Sequence, residues 1–237
     1  MTFFYSIFRQ WTDILPVGFT LEFYADIFTD RAFLIPLLRT LIISFVPVLI
    51  CAVSVILAVY VTSIVHPRLE KIMQTLCTIP YALQGVILAI SVLSLYSGVP
   101  APFSNRVVLL TGTYCVVILP YMYRGILNNL ISVDAKNLIA AAQIIGLSRF
   151  GAYIRVVVPN ILKGVKISVM LSVSLLFGDF VIVNTIGGSY FVTAQVFLFK
   201  NLMRVSGQRA SAFIIILFSV TMTISIIVFF SQKKNKT

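Results

Sequence analysis

The sequence predicts an all-α integral membrane protein, and three observations carry that prediction. Fifty-nine per cent of the 237 residues are apolar and the mean hydropathy is +1.04, more than a soluble chain could cover with polar surface. Leu41–Val65, Ile72–Tyr96 and Ala210–Ser231 hold no charged residue, and each reaches the roughly 20 apolar residues that a spanning helix needs. The basic residues, which leave a net charge of +11, flank these runs as the topology rule for membrane proteins expects. No basic patch is interleaved with aromatics, so nucleic acid is not an expected partner.

Taken in order, residues 1–32 read as an extracytoplasmic N-terminal segment carrying Asp13, Glu22, Asp26 and Asp30. A transmembrane domain over 33–232 follows, with spans at 41–65, 72–96, 107–127, 167–186 and 210–231. The third span passes Arg124, whose stem can snorkel to the interface. The fourth contains Asp179, the one acidic residue inside a span; a charge at that depth costs at least about 2.5 kcal/mol and should face the bundle interior, water or a partner. Pro47, Pro80 and Pro120 each fall within a span, where kinks are tolerated if neighbours satisfy the freed carbonyl. Cys51, Cys77 and Cys115 lie far apart in apolar runs and read as small hydrophobes. His66, the only histidine, sits in a His-Pro-Arg turn, so neither a metal site nor a cofactor is expected.

Direction follows from charge. Placing 66–71, 124–166 and the basic tail 233–237 in the cytoplasm puts eleven basic residues inside and seven outside. An even number of spans separates these segments, so they can share a side. The expected topology is N-terminus out, C-terminus in.

Between the third and fourth spans, residues 132–163 read as helix, turn, helix. Ser132 or Asp134 can cap a first helix over 137–145, to which Ala140, Ala141 and Ala142 give high propensity and a thin face. Gly146 supplies the turn. Ser148 can cap a second helix that runs to about Val158, where Pro159 stops it. The alanine face would admit close approach by another protein, with Leu138, Ile139, Ile144 and Ile145 docking elsewhere. An interfacial amphipathic helix without a partner is the alternative reading.

The run Ala140-Ala-Ala-Gln-Ile-Ile-Gly146 followed by Val156-Val-Val-Pro159 resembles the cytoplasmic coupling loop of permeases from binding-protein-dependent ABC importers. That loop has the form Glu-Ala-Ala, three residues, Gly, nine residues, Ile-x-Leu-Pro. Ala141, Ala142, Gly146 and Pro159 fall at its spacing, Val156 and Val158 replace Ile and Leu, and Ala140 stands where the family has Glu. Gly178-Asp179-Phe180 resembles the element that follows the loop, and Ile79-Pro80-Tyr81-Ala82-Leu83-Gln84-Gly85 a segment of the third helix. Gly18–Tyr24 is similar to a segment of the group that moves polyamines, ferric iron, thiamine or phosphonates.

The resemblance implies a five-helix permease core, from which the first helix of a six-span form is missing. It implies residence in a bacterial inner membrane. It implies that Ala140, Ala141, Ala142, Gly146 and Pro159 couple to separate ATP-binding subunits, since the chain carries no Gly-rich phosphate loop. A second permease subunit, identical or homologous, and an extracytoplasmic substrate-binding protein complete the expected partners beside lipid. Asp179, Asn184, Gln84, Tyr81 and Tyr121 are candidates to line or gate the path, with Asp179 favoured as a structural or gating group. Two other classes stand against this one. A membrane enzyme acting on lipid would need a cluster of acids or His at a membrane face, for which the inventory is too sparse. A stand-alone secondary transporter would show inverted repeats and several buried charges.

Overall fold

A computed structural model describes residues 2–10, 17–82, 85–96, 98–202 and 204–233. Gln84 and Asp13 lie outside the described residues, as does most of the basic tail. Four of the described helices are long and apolar enough to cross a membrane, and a bent pair makes a fifth if it is one span. The spans depart from the uncharged runs of the sequence in instructive ways.

The N-terminal segment is a short helix α1 (Thr2–Ser6), a hairpin of β1 (Phe8–Gln10) and β2 (Val17–Phe19) in the register Phe8↔Phe19, and α2 (Glu22–Thr29). The first span, α3 (Arg31–Val65), starts ten residues before the expected Leu41. Asp30 Oδ1 accepts from Ala32 N–H at 2.9 Å and fixes this earlier start. Its buried residues, among them Phe33, Thr40, Val48, Val55 and Val59, face the bundle, while Ile35, Leu38, Ile42, Leu49 and Val53 form an exposed stripe at helical spacing.

The expected second span over 72–96 is not one helix. It is α4 (Leu69–Ala82) and α5 (Val86–Tyr96), inclined at 102°. Gly85, at φ +69°, adopts a backbone conformation that residues with a Cβ avoid, and so allows the reversal of direction. The third span, α6, runs over Arg106–Ser132 and is capped by Asn105 Oδ1, which accepts from Val107 N–H at 2.9 Å.

The coupling-loop segment gives α7 (Ala135–Ile144) and then α8, which is continuous from Arg149 to Phe177. Pro159 therefore does not stop the second helix. A wide π-helical turn at Tyr153–Val157 precedes it, with Val158 N–H donating five residues back to Tyr153. That turn takes up the missing donor and the bulk of the ring, and the helix runs on. At its other end α8 breaks at Gly178, so the expected span 167–186 is also interrupted; a short π-helical turn, Val183–Gly187, follows. α9 (Ala194–Asn201) and α10 (Gly207–Lys233) complete the chain.

α3, α6 and α8 form the central trio. α6 and α8 approach closely where Gly125 faces Ser168 and Gly164 faces Asn129, the small-residue packing that membrane helices use when no hydrophobic force draws them together. α10 closes a second cluster around Phe33, Phe177 and Phe213. Arg209 on α10 and Asp30 at the start of α3 are joined at 3.0 Å.

Candidate coupling loop and translocation path

The loop is built on α7. Ala135, Ile139 and Ala142 recur at helical spacing and are buried against the bundle, which leaves Ala140, Ala141, Ile144 and Ile145 outward. The three alanines thus do not share a face, and Ile144 and Ile145, expected to dock elsewhere, stand exposed beside two of them. At 100° per residue, three consecutive positions cannot point one way. The cap differs too. Asp134 sits at φ +49° and accepts from no backbone amide of the first turn; its carboxylate instead accepts from Asn137 Nδ2 at 2.6 Å. Ser132 donates to Asn128 O.

The C-terminus of α7 closes as a Schellman turn. Gly146 N–H donates to Gln143 O at 3.0 Å and Leu147 N–H to Ala142 O at 3.1 Å, with Gly146 at φ +95°. Ser148 then caps α8, its Oγ accepting from Gly151 N–H at 3.1 Å. The loop is tied to the end of α3 by three contacts. Arg149 donates to Ile64 O, Tyr153 hydroxyl donates to Ile56 O at 2.7 Å, and Tyr60 packs between the Phe150 and Tyr153 rings.

A second constellation surrounds the break after α8. Asp179 Oδ2 accepts from Tyr114 hydroxyl at 2.9 Å, from Ile182 N–H at 3.1 Å and from Val183 N–H at 3.3 Å. The carboxylate so replaces the carbonyls that an unbroken helix would offer to those amides. Gln195 Nε2 donates to Phe177 O on the other side of the break. Beside it lies a cavity of about 510 Å³ lined by Gly85, Val117, Tyr121, Leu175, Gly178, Asp179, Val181 and Ile182. Tyr81 meets Tyr121 edge-on at 5.4 Å between ring centroids. The structure therefore gathers Asp179, Tyr81 and Tyr121 at one place. Asn184 is half-buried in the π-helical turn and is not among the lining residues, and Gln84 lies outside the described residues.

The family model for the binding-protein-dependent transport system inner membrane component matches residues 50–234, which holds the candidate coupling loop, the break and the cavity. The chain belongs to this family. It is the permease subunit of a binding-protein-dependent ABC importer, a multi-pass protein of the inner membrane, and its family is one of transport proteins, not enzymes. No curated protein matches it closely enough to narrow the family further.

Three features of the permease escaped the sequence reading. Tyr114 and Gln195, which hold the break, look like ordinary members of apolar helices, and only the fold brings them 65 and 18 residues across the chain to their partners. Tyr153 and Arg149 gave no sign that they anchor the loop to α3. Arg124, read as an interfacial residue, places its guanidinium 5.9 Å from the centroid of Tyr81.

Proposed function

We propose that the outward face of α7 is where the permease seats against its ATP-binding subunit, and that the anchor to α3 passes the resulting motion to the path. One observation carries this reading. Ile144 and Ile145 are 88 % and 85 % exposed at the tip of a helix whose other face is firmly packed. Two adjacent large apolar side chains held out in the aqueous phase point to a covering partner. Ala140, Ala141 and Gly146 beside them keep the surface low enough for close approach. With Ala140 in place of the family's Glu, the contact is apolar. Arg149, Tyr153 and Tyr60 make the loop and the end of α3 one mechanical unit.

Transport then needs two ATP-binding subunits, a second permease subunit and the binding protein. The exposed apolar residues of α4 and α5 suit a second permease. Asp179 holds the break in the pathway helix rather than touching solute, since its Oδ2 already serves three donors.

The experiment is Gly146→Glu and, separately, Ile144→Glu in the assembled transporter. Both proteins should insert normally, fail to co-purify with the ATP-binding subunit and lose ATP hydrolysis stimulated by the binding protein. Open space surrounds the position of a Gly146 Cβ, but φ +95° strains any residue other than glycine there; Ile144→Glu carries no such strain, so a docking defect shared by both variants lies in the contact and not in the fold. Normal stimulation in both inserted variants would remove α7 from the coupling role.

A further inference from the structure

Arg124 carries a charge within α6, eight residues before its end at Ser132, which is about 12 Å of helix rise. Arg124 is exposed on the single chain. Its guanidinium lies against Tyr81, twelve residues along α4 from Leu69 and so about 18 Å in from the same end of the bundle. Glu70 on α4 and Asp134 after α6 line one cavity, which places those two helix ends side by side. Tyr81 in turn meets Tyr121, a wall of the cavity beside Asp179. The ion pairs among the described residues are Arg9–Glu22 and Arg209–Asp30, so no carboxylate there neutralises Arg124. An ionised group inside a span without an internal partner calls for one from outside the chain.

The opposite end of the bundle gives a second, independent observation. Three cations surround the turn that follows the π-helical segment. Arg106 Nη1 donates to Ile186 O at 2.9 Å and its Cζ lies 5.6 Å from the Tyr190 ring. Lys200 Nζ donates to Gly188 O at 3.2 Å. Arg39 Cζ lies 5.6 Å from the Phe191 ring. Residues 97–106 and 187–209 contain no Asp or Glu. A solute entering by this mouth meets positive charge there and again at Arg124, while Oδ2 of Asp179, on the cavity wall, is taken by Tyr114 on α6 and by two amides of its own segment.

From these observations we infer that the path carries an anionic solute, and that Arg124, exposed on the single chain beside Tyr81, contacts it. The inference rests on the permease reading above. A guanidinium offers paired donors in the geometry of a carboxylate, phosphate or phosphonate, and the Tyr81 ring lies over it without competing for its charge. A polyamine or other free cation would be repelled at both places.

The test needs no knowledge of the solute. The permease is assembled with its ATP-binding subunits and binding protein in proteoliposomes, with Cys51, Cys77 and Cys115 replaced by Ser and with Leu175→Cys on the cavity wall. Modification rates are compared for two thiol reagents of similar size, the anionic methanethiosulfonate ethylsulfonate and the cationic methanethiosulfonate ethyltrimethylammonium, each relative to a free thiol. The anionic reagent should be favoured. Arg124→Gln should lower the anion-to-cation ratio about tenfold, and Arg124→Lys should keep most of it. A ratio that Arg124→Gln leaves unchanged, a preference for the cation, or a thiol that neither reagent reaches would each overturn the inference. If the permease reading itself were at fault, the parent complex would lack ATP hydrolysis stimulated by the binding protein. Intact stimulation without anion preference would sink the anionic path alone.

Discussion

Asp179 shows how a single side chain decides whether a membrane helix can break. The break leaves the amides of Ile182 and Val183 without helical acceptors, and Oδ2 takes both together with the Tyr114 hydroxyl. Tyr114 is fully buried, so removing the carboxylate strands a phenol and two N–H groups away from water. Asp179→Ala should cost about 2–4 kcal/mol, read as a lower unfolding temperature in detergent. Asp179→Asn keeps an oxygen acceptor and should cost about 1 kcal/mol. Binding-protein-stimulated ATP hydrolysis should survive in the Asn variant in proportion to folded protein. Loss of stimulation in an Asn variant of unaltered unfolding temperature would instead make Asp179 a solute contact. Pro159 teaches the complementary lesson, since a helix stop by local rule is carried through by the π-helical turn that precedes it.

At the scale of elements, hydropathy locates spans but is blind to direction changes within them. The runs 72–96 and 167–186 are each apolar enough on average to span, yet both bend, at Gly85 and at Gly178, because a long apolar run sets only how much chain can be in lipid. The helix–turn–helix of the coupling loop was legible because Gly146 and Ser148 act through their immediate neighbours. Which face of α7 turns outward was not legible, because burial of Ile139 and Ala142 depends on what the fold brings beneath them. The α6–α8 contact is likewise tertiary. A Cβ on Gly164 would fall on the Asn129 side chain, which donates to Gly125 O at 2.7 Å. Gly164→Ala should therefore destabilise the permease by about 1–3 kcal/mol. Asn129→Ser in the same chain should return part of that loss, because it clears the space. An additive double variant would mean that the two positions do not meet.

For the whole molecule, the orientation expected from charge puts the candidate coupling loop inside. Arg149 donates to Ile64 O at the end of α3, and Arg68 and Lys71 follow that end in the sequence; this is the end that the expected topology assigns to the cytoplasm. The other end carries Arg106 and Lys200, but there the guanidinium and ammonium are bound to Ile186 O and Gly188 O, so these cations belong to a folded turn and do not simply flank a span. Such use of basic residues explains why seven lie on the expected outer side without reversing the positive-inside bias. The orientation is testable with single cysteines in a background lacking the native three. Ser104→Cys falls in the exposed turn before α6, and Gln143→Cys on the exposed side of α7; Ser148 is left intact because it caps α8. A membrane-impermeant maleimide added to intact cells should label position 104 and leave 143 untouched, with 143 labelled once the membrane is opened. Labelling of 143 in intact cells would put the coupling loop on the face where no ATP-driven partner can reach it.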